Sequence, residues 1–484
     1  MTDRKKFFQA SFVYALAQVL GLVASLVSFP ILTRILNISE YGILGLCNTI
    51  LLFGTAASKL GLQNSIVRFF PEYRQKQDLR SFYSTFWLGG GTAAAVITLI
   101  ALPAILYFAP AGYHGAFVAV ALMIFGNSVF SIVSNFLRSE EKNAVNAILN
   151  VLFRYVGTFG GIALVYWVHA GIAGIFWAQL VVIAAIVGWY LLKAIIEHGV
   201  SFKYVSRELF SDSLKYGLPL IAFEFSSIAL AFSDRFLITH YLGATQLGLY
   251  IAGYTICFYI SDIIRQPLQQ AVMPIYLRIY TEQGAEKTAE FLSEITGYVF
   301  LVILPVFAGV VAIRTELIIL LSSQKYLSSA VVIPWVLAGT LLYACQPLVA
   351  AGFYLKKQTG VFSIILVASA AVNVVLNIIL IPRYGMLAAA WSTAISYILA
   401  LVVMMAISSR SLPLQLPFFR IMLYGLSSFI MYVVLQYTEG SLLAVRILSG
   451  IAIYTVLVFV LDRKTAREII HFASSRYRRW RLVG

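Results

Sequence analysis

Apolar residues in this chain come in long blocks, not in the one-in-two rhythm of strands or the narrow stripe of a soluble helix. From Phe7 to Thr33 no charged side chain occurs. A bilayer crossing by a helix needs roughly 20 mostly apolar residues, whereas membrane strands alternate in polarity over about ten. The pattern predicts helices over 8–33, 42–66, 82–107, 115–136, 144–167, 171–192, 216–241, 248–273, 292–313, 330–354, 360–381, 385–408, 420–437 and 442–461, an all-α integral membrane protein of about 14 spans. Pro30, Pro103, Pro219, Pro267, Pro305, Pro334 and Pro347 fall within these spans. Membrane helices tolerate them as kinks, because neighbouring helices and water re-satisfy the freed carbonyls.

The polar positions break this picture in one place. Between Tyr216 and Pro274, room for two spans, stand Glu224, Asp234, Arg235, Asp262 and Arg265. Ionisable groups at membrane depth cost several kcal/mol unless they pair or face water, so they mark a candidate functional site. The same stretch echoes an earlier one. Thr239, Leu242, Gly248 and Thr255-Ile256 repeat Thr33, Leu36, Gly42 and Thr49-Ile50 at an offset of 206. GIAGIFW from Gly171 and LRSEEK from Leu137 are echoed by GMLAAAW from Gly385 and LKKQTG from Leu355. Two similar halves suggest pseudo-symmetric six-helix lobes, 1–200 and 201–410, with 411–461 as two added helices and 462–484 as a basic tail.

Composition agrees: 61% hydrophobic, 11% charged, mean hydropathy +0.88, against about 25% charged for a soluble domain. With the N-terminus inside, inner segments carry 26 of the Lys and Arg residues and outer loops five, Arg446 among the latter. The positive-inside rule then places both termini in the cytoplasm. The net charge of +15 is this bias facing anionic lipid and calls for no nucleic-acid partner. The tail, with seven basic residues and Trp480, is expected to lie on the lipid surface. Cys47, Cys257 and Cys345 lack metal or redox spacing and read as packing residues.

FPILTRIL before SEYG, SIVRFFPEY in the first inner connection, FLRSEEKN after helix four, and YGLPL followed by SDRFLITHYLGATQLGLY occur in an order that resembles the polysaccharide transporters. These are the O-antigen and exopolysaccharide flippases of the multidrug/oligosaccharidyl-lipid/polysaccharide exporter superfamily. The resemblance implies two six-helix bundles around a central cavity that opens alternately to either side. It implies as cargo an undecaprenyl-pyrophosphate-linked oligosaccharide, carried from the cytoplasmic to the outer leaflet of a bacterial inner membrane. Membrane lipids and other polysaccharide-assembly proteins are the implied partners. Related peptidoglycan-precursor flippases hold the pyrophosphate on cavity arginines and the lipid tail in a groove of two extra helices. The uncharged helix one departs from that branch. A cation-coupled multidrug exporter of the same superfamily is the alternative.

Translocation breaks no bond, so no enzyme, metal or cofactor is expected beyond coupling to H+ or Na+. A pyrophosphate at membrane depth needs cations, and a guanidinium forks onto phosphate oxygens. Arg265, Lys59 and Arg154 are the candidates; an i, i+3 pair with Asp262 is the competing role for Arg265, and snorkelling for Lys59. Glu224 is the candidate ion-coupling carboxylate, since apolar surroundings push a carboxyl toward its neutral form. Asp234, Arg235 and Asp262 are assigned structural or gating roles.

Overall fold

The structure, a computed structural model, describes residues 3–465 and 467. Among these, every element is helical. Twelve segments are long and apolar enough to cross a membrane. One of them, Arg207–Ala312, is 106 residues long and runs three predicted helices together. Read as three crossings, it brings the spans to the expected fourteen. Most of the basic tail expected over 462–484 lies outside the described residues. The chain forms two compact units, Met1–Ile251 with Asn377–Gly385, and Ala252–Leu376 with Met386–Gly484.

The first unit holds α1 (Asp3–Ile35), α2 (Ile38–Ser58), α3 (Leu62–Gln75), α4 (Leu79–Ser84), α5 (Gly90–Tyr107), α6 (His114–Ser139), α7 (Asn143–Leu152), α8 (Thr158–Trp167), α9 (Gly171–His198), α10 (Arg207–Phe232) and the start of α11 (Asp234–Pro267). α6 is its centre, packed on α2, α3, α5 and α9, with Phe117, Met123, Val133 and Phe136 fully buried. α2 starts at a capping box. Asn37 Oδ1 accepts from the Glu40 amide at 2.8 Å, and the Glu40 carboxylate accepts from the Asn37 amide at 2.9 Å, satisfying two otherwise orphaned donors. It ends at two left-handed residues, Leu60 (φ 51) and Gly61 (φ 70), after which the chain turns into α3. SIVRFFPEY, expected as a connection, is helical because Leu62, Ile66 and Phe70 recur every four residues and bury one face.

FLRSEEKN proves to be a tie. Glu140, just past α6, pairs with Lys142 Nζ at 2.5 Å and accepts from the Tyr190 hydroxyl of α9 at 2.5 Å and from the Tyr83 hydroxyl of α4. Burial alone would raise this carboxyl; the donors of Lys142, Tyr190 and Tyr83 outweigh it and hold it below the usual carboxylate range.

The second unit holds the rest of α11, then α12 (Met273–Ala312), α13 (Arg314–Leu321), α14 (Ile333–Tyr343), α15 (Gln346–Val349), α16 (Ala351–Leu355), most of α17 (Thr359–Tyr384), α18 (Met386–Ser408), α19 (Phe418–Gln436) and α20 (Leu443–Leu461). α14 packs on α18, and α19 packs on α12 and α20. Pro334 and Pro347 are not kinks. They sit in the first turns of α14 and α15, where a missing N–H costs nothing. The three cysteines are buried and free. Arg446, counted above with an outer loop, is instead fully buried in the first turn of α20. There it pairs with Glu316 and donates to the carbonyls of Ala312 at 3.2 Å and Leu435 at 3.1 Å. It lies beside an apolar cavity of about 420 Å³ between α12, α19 and α20.

Candidate functional site

Within the first unit, α2 is crossed at both ends through glycine. At one end the repeated glycines meet reciprocally. A Cβ on Gly42 would stand 2.0 Å from the Ala244 carbonyl oxygen, and one on Gly248 would stand 2.0 Å from that of Ile38. Gly42 and Gly248 are 206 residues apart, and so are their partners Ile38 and Ala244, which is the offset of the repeat. Only glycine permits such backbone contact, in which Cα–H groups face carbonyl oxygens.

Near this crossing lie Asp234 and Arg235, both buried. Asp234 accepts from the Tyr250 hydroxyl. Arg235 donates to Thr49 Oγ1 at 3.3 Å and lies 4.5 Å from the centroid of the Phe232 ring. The adjacent charges therefore find separate partners, as their different directions on the helix require.

The other end is the break after α2. A Cβ on Gly61 would stand 2.2 Å from the Gly217 carbonyl oxygen of α10, and Ser65 donates to the Ser213 carbonyl at 2.8 Å. YGLPL thus supplies the glycine of this crossing. Two candidates predicted for different roles come together here. Lys59, which ends α2, reaches Glu224 of α10 at 2.5 Å, and Gln63 Nε2 donates to the other carboxylate oxygen at 3.2 Å. The side chains of Lys59 and Glu224 are 15% and 32% exposed. Neither side chain is sealed off, so the pair can open and an alternative anion can take the carboxylate's place. Between the two crossings an apolar cleft of about 740 Å³ opens, lined by Leu46, Ile50, Phe53, Phe117 and Phe236.

Arg154 sits in a π-helical turn, Phe153–Gly157, that joins α7 to α8. Its guanidinium packs over Gly21 of α1, within 3.2 Å of where a Cβ would be, and next to it the Tyr155 hydroxyl donates to the Leu20 carbonyl at 3.0 Å. Arg154 forms no ion pair among the described residues, and π-turns recur at functional sites. In the second unit, Arg265 pairs with Asp262 at 2.6 Å and reaches Gln269 at 3.2 Å, while Gln266 donates to the second Asp262 oxygen at 2.6 Å. This is the i, i+3 pairing its spacing allowed.

Residues 31–331 match the profile of polysaccharide biosynthesis proteins. The chain belongs to that family. The matched segment contains every candidate charge: Lys59, Arg154, Glu224, Asp234, Arg235, Asp262 and Arg265. A protein named "probable low-salt glycan biosynthesis flippase" from Haloferax volcanii is 25% identical over 59% of this chain and 60% of its own length. An uncharacterized membrane protein of Methanocaldococcus jannaschii is 21% identical over 70% of this chain and 71% of its own. Among solved structures, the lipid II flippase MurJ in an inward closed conformation matches with a TM-score of 0.76 at 15% identity, covering 95% of this chain and 100% of that one. An inward-facing multidrug resistance MATE family transporter of the MOP superfamily matches with a TM-score of 0.60 at 16% identity, covering 80% and 97%. At these identities the likeness is one of fold.

For this polysaccharide biosynthesis protein, the sequence left two side chains unremarked or misplaced. Gln63 carries no charge and stands one turn past a break that the apolar pattern did not signal. Arg446 was hidden by its place at the edge of a span, although a lone arginine between Leu443 and Leu461 was the available signal.

Proposed function

We propose that the protein is a flippase that moves an undecaprenyl-pyrophosphate-linked oligosaccharide from the cytoplasmic to the outer leaflet by alternating access, for surface polysaccharide biosynthesis. Its place is a bacterial inner membrane, with both termini cytoplasmic, as its inner-loop positive charge favours. Family membership and the flippase among its relatives support the reading. The observation that carries it is the Lys59 ammonium, half-sunk in a membrane-spanning unit and held by a partner exposed enough to be exchanged. Arg265 in the second unit and Arg154 in the first are proposed as further pyrophosphate contacts. Glu224 is proposed to take the coupling ion, H+ or Na+, when it parts from Lys59. No covalent step is involved.

The reading is tested in a strain lacking the protein and in one carrying Arg265→Ala. Loss of the protein should abolish surface glycan while lipid-linked units collect on the cytoplasmic leaflet. Arg265→Ala should reproduce that loss at normal protein abundance. Normal export from the variant removes Arg265 from the site. Normal glycan in the deletion strain, with new sensitivity to cationic dyes, makes the protein a drug exporter.

A further inference from the structure

We propose that the Glu224 carboxylate is a placeholder for the substrate's phosphate. It occupies an anion seat made by Lys59 and Gln63, and the lipid-linked phosphate enters by exchanging with it. The inference rests on the flippase reading and specifies how its site is kept closed to other ligands.

Three observations converge. First, both carboxylate oxygens are held by donors from one short stretch, Lys59 at 2.5 Å and Gln63 at 3.2 Å. A phosphate presents the same paired oxygens to the same two donors. Second, the cation is the deeper partner, 15% exposed against 32% for Glu224, so the open side of the pair is the side of the carboxylate. Lys59 has no other acidic partner among the described residues. Removing Glu224 leaves a half-buried cation that favours any anion able to reach it.

Third, seat and placeholder are anchored differently. Lys59 and Gln63 flank Leu60 and Gly61, whose left-handed turn is fixed by the Gly217 crossing and by α3 packing on α6. Glu224 lies beyond Pro219, which has no N–H for the Lys215 carbonyl and loosens α10 at that point. Ser213 and Gly217, before the proline, hold to α3 and its cap; after it, Phe225 packs edge-on against Phe53 of α2, so Glu224 leaves the seat by turning its own side chain away while both helices stay in place. The exchange balances charge: one anion departs as another arrives.

The test is equilibrium binding of labelled undecaprenyl pyrophosphate to the full-length protein in lipid nanodiscs, with undecaprenol and inorganic pyrophosphate as competitors. Glu224→Gln keeps the shape and removes the competing charge. It should bind the lipid pyrophosphate about five- to tenfold more tightly than the parent. Adding Lys59→Gln should erase the whole gain and Gln63→Leu part of it, with undecaprenol binding unmoved throughout. Elution profile and melting temperature identify a misfolded Lys59 variant, in which case the Gln63→Leu comparison decides. If Glu224→Gln binds no more tightly while Lys59→Gln binds more weakly, Lys59 is a phosphate contact and the placeholder idea is wrong, although the flippase reading stands. If inorganic pyrophosphate competes as well as the lipid, the seat belongs to a free anion and the lipid assignment falls. If no form binds the lipid pyrophosphate, the flippase reading fails and the inference with it.

Discussion

The two ends of α2 use the same device for different purposes. At Gly42 the contact is backbone on backbone, reciprocal, and made with Gly248, the matching glycine of the repeat. The charges close by, Asp234 and Arg235, are buried. At Gly61 the contact with Gly217 is just as close, but the charges beside it, Lys59 and Glu224, remain partly open. The first end reads as a dry joint and the second as a wettable latch. A helix can thus be pinned at both ends while only one end is chemically adjustable.

The largest effect should come from filling the dry joint. Gly42→Val or Gly248→Val places carbon atoms 2.0 Å from a backbone carbonyl oxygen, a clash that no rotamer relieves. Overpacking of this kind costs about 1–3 kcal/mol or more. Both variants should melt well below the parent in detergent and lose the proposed glycan export. Gly91→Ala and Gly188→Ala, helical glycines with nothing within 4 Å of the added carbon, should melt at or slightly above it. Equal melting of Gly42→Val and Gly91→Ala would show that α2 and α11 do not meet as closely as described.

Next in size is the charge beside that joint. Asp234→Ala removes the acceptor of the buried Tyr250 hydroxyl and should cost about 2–3 kcal/mol, more than an exposed pair could. Glu224→Ala, at the open end, where water or ions can reach Lys59, should cost less than Asp234→Ala by the same melting measurement. A larger loss from Glu224→Ala would mean that the two ends are not differently wetted.

Much of this was legible beforehand, and the physical reason is clear in each case. The spans follow from blocks of apolar residues, since a bilayer leaves little choice but helices. The echo of Thr33, Leu36 and Gly42 in Thr239, Leu242 and Gly248 was read as a mark of two similar halves; that its glycines meet was not legible, because an offset in sequence does not say which backbones touch. The ionisable residues were legible as a set, since each stands out against an apolar ground. Their pairing was not. Lys59 and Glu224 are 165 positions apart, and nothing in either helix names the other. The break at Leu60 was concealed as well, because leucine in a left-handed turn has no local signature. Arg446 was misplaced because a span edge in sequence can be a fully buried position in three dimensions.

A third carboxylate calibrates the comparison. Glu140 has three donors, Tyr83, Tyr190 and Lys142, and its side chain is 12% exposed, against two donors and 32% for Glu224. It marks what a permanent tie looks like. Its acidity in the fold is increased, so the folded form binds this proton less readily than the unfolded chain does. The stabilisation is therefore complete above the ordinary carboxylate value of 4.5 and is lost as pH falls through the lower folded value. Glu140→Gln should lower the melting temperature at pH 7 by an amount matching about 1–2 kcal/mol. The gap between variant and parent should narrow as the pH falls below 4.5 and close once it passes the lower folded value, where both carry a neutral side chain at this position. A gap that stays constant down to that pH would mean that the tie is one of shape and not of charge, and Glu140 would no longer serve as the standard against which the looser carboxylate of Glu224 is judged.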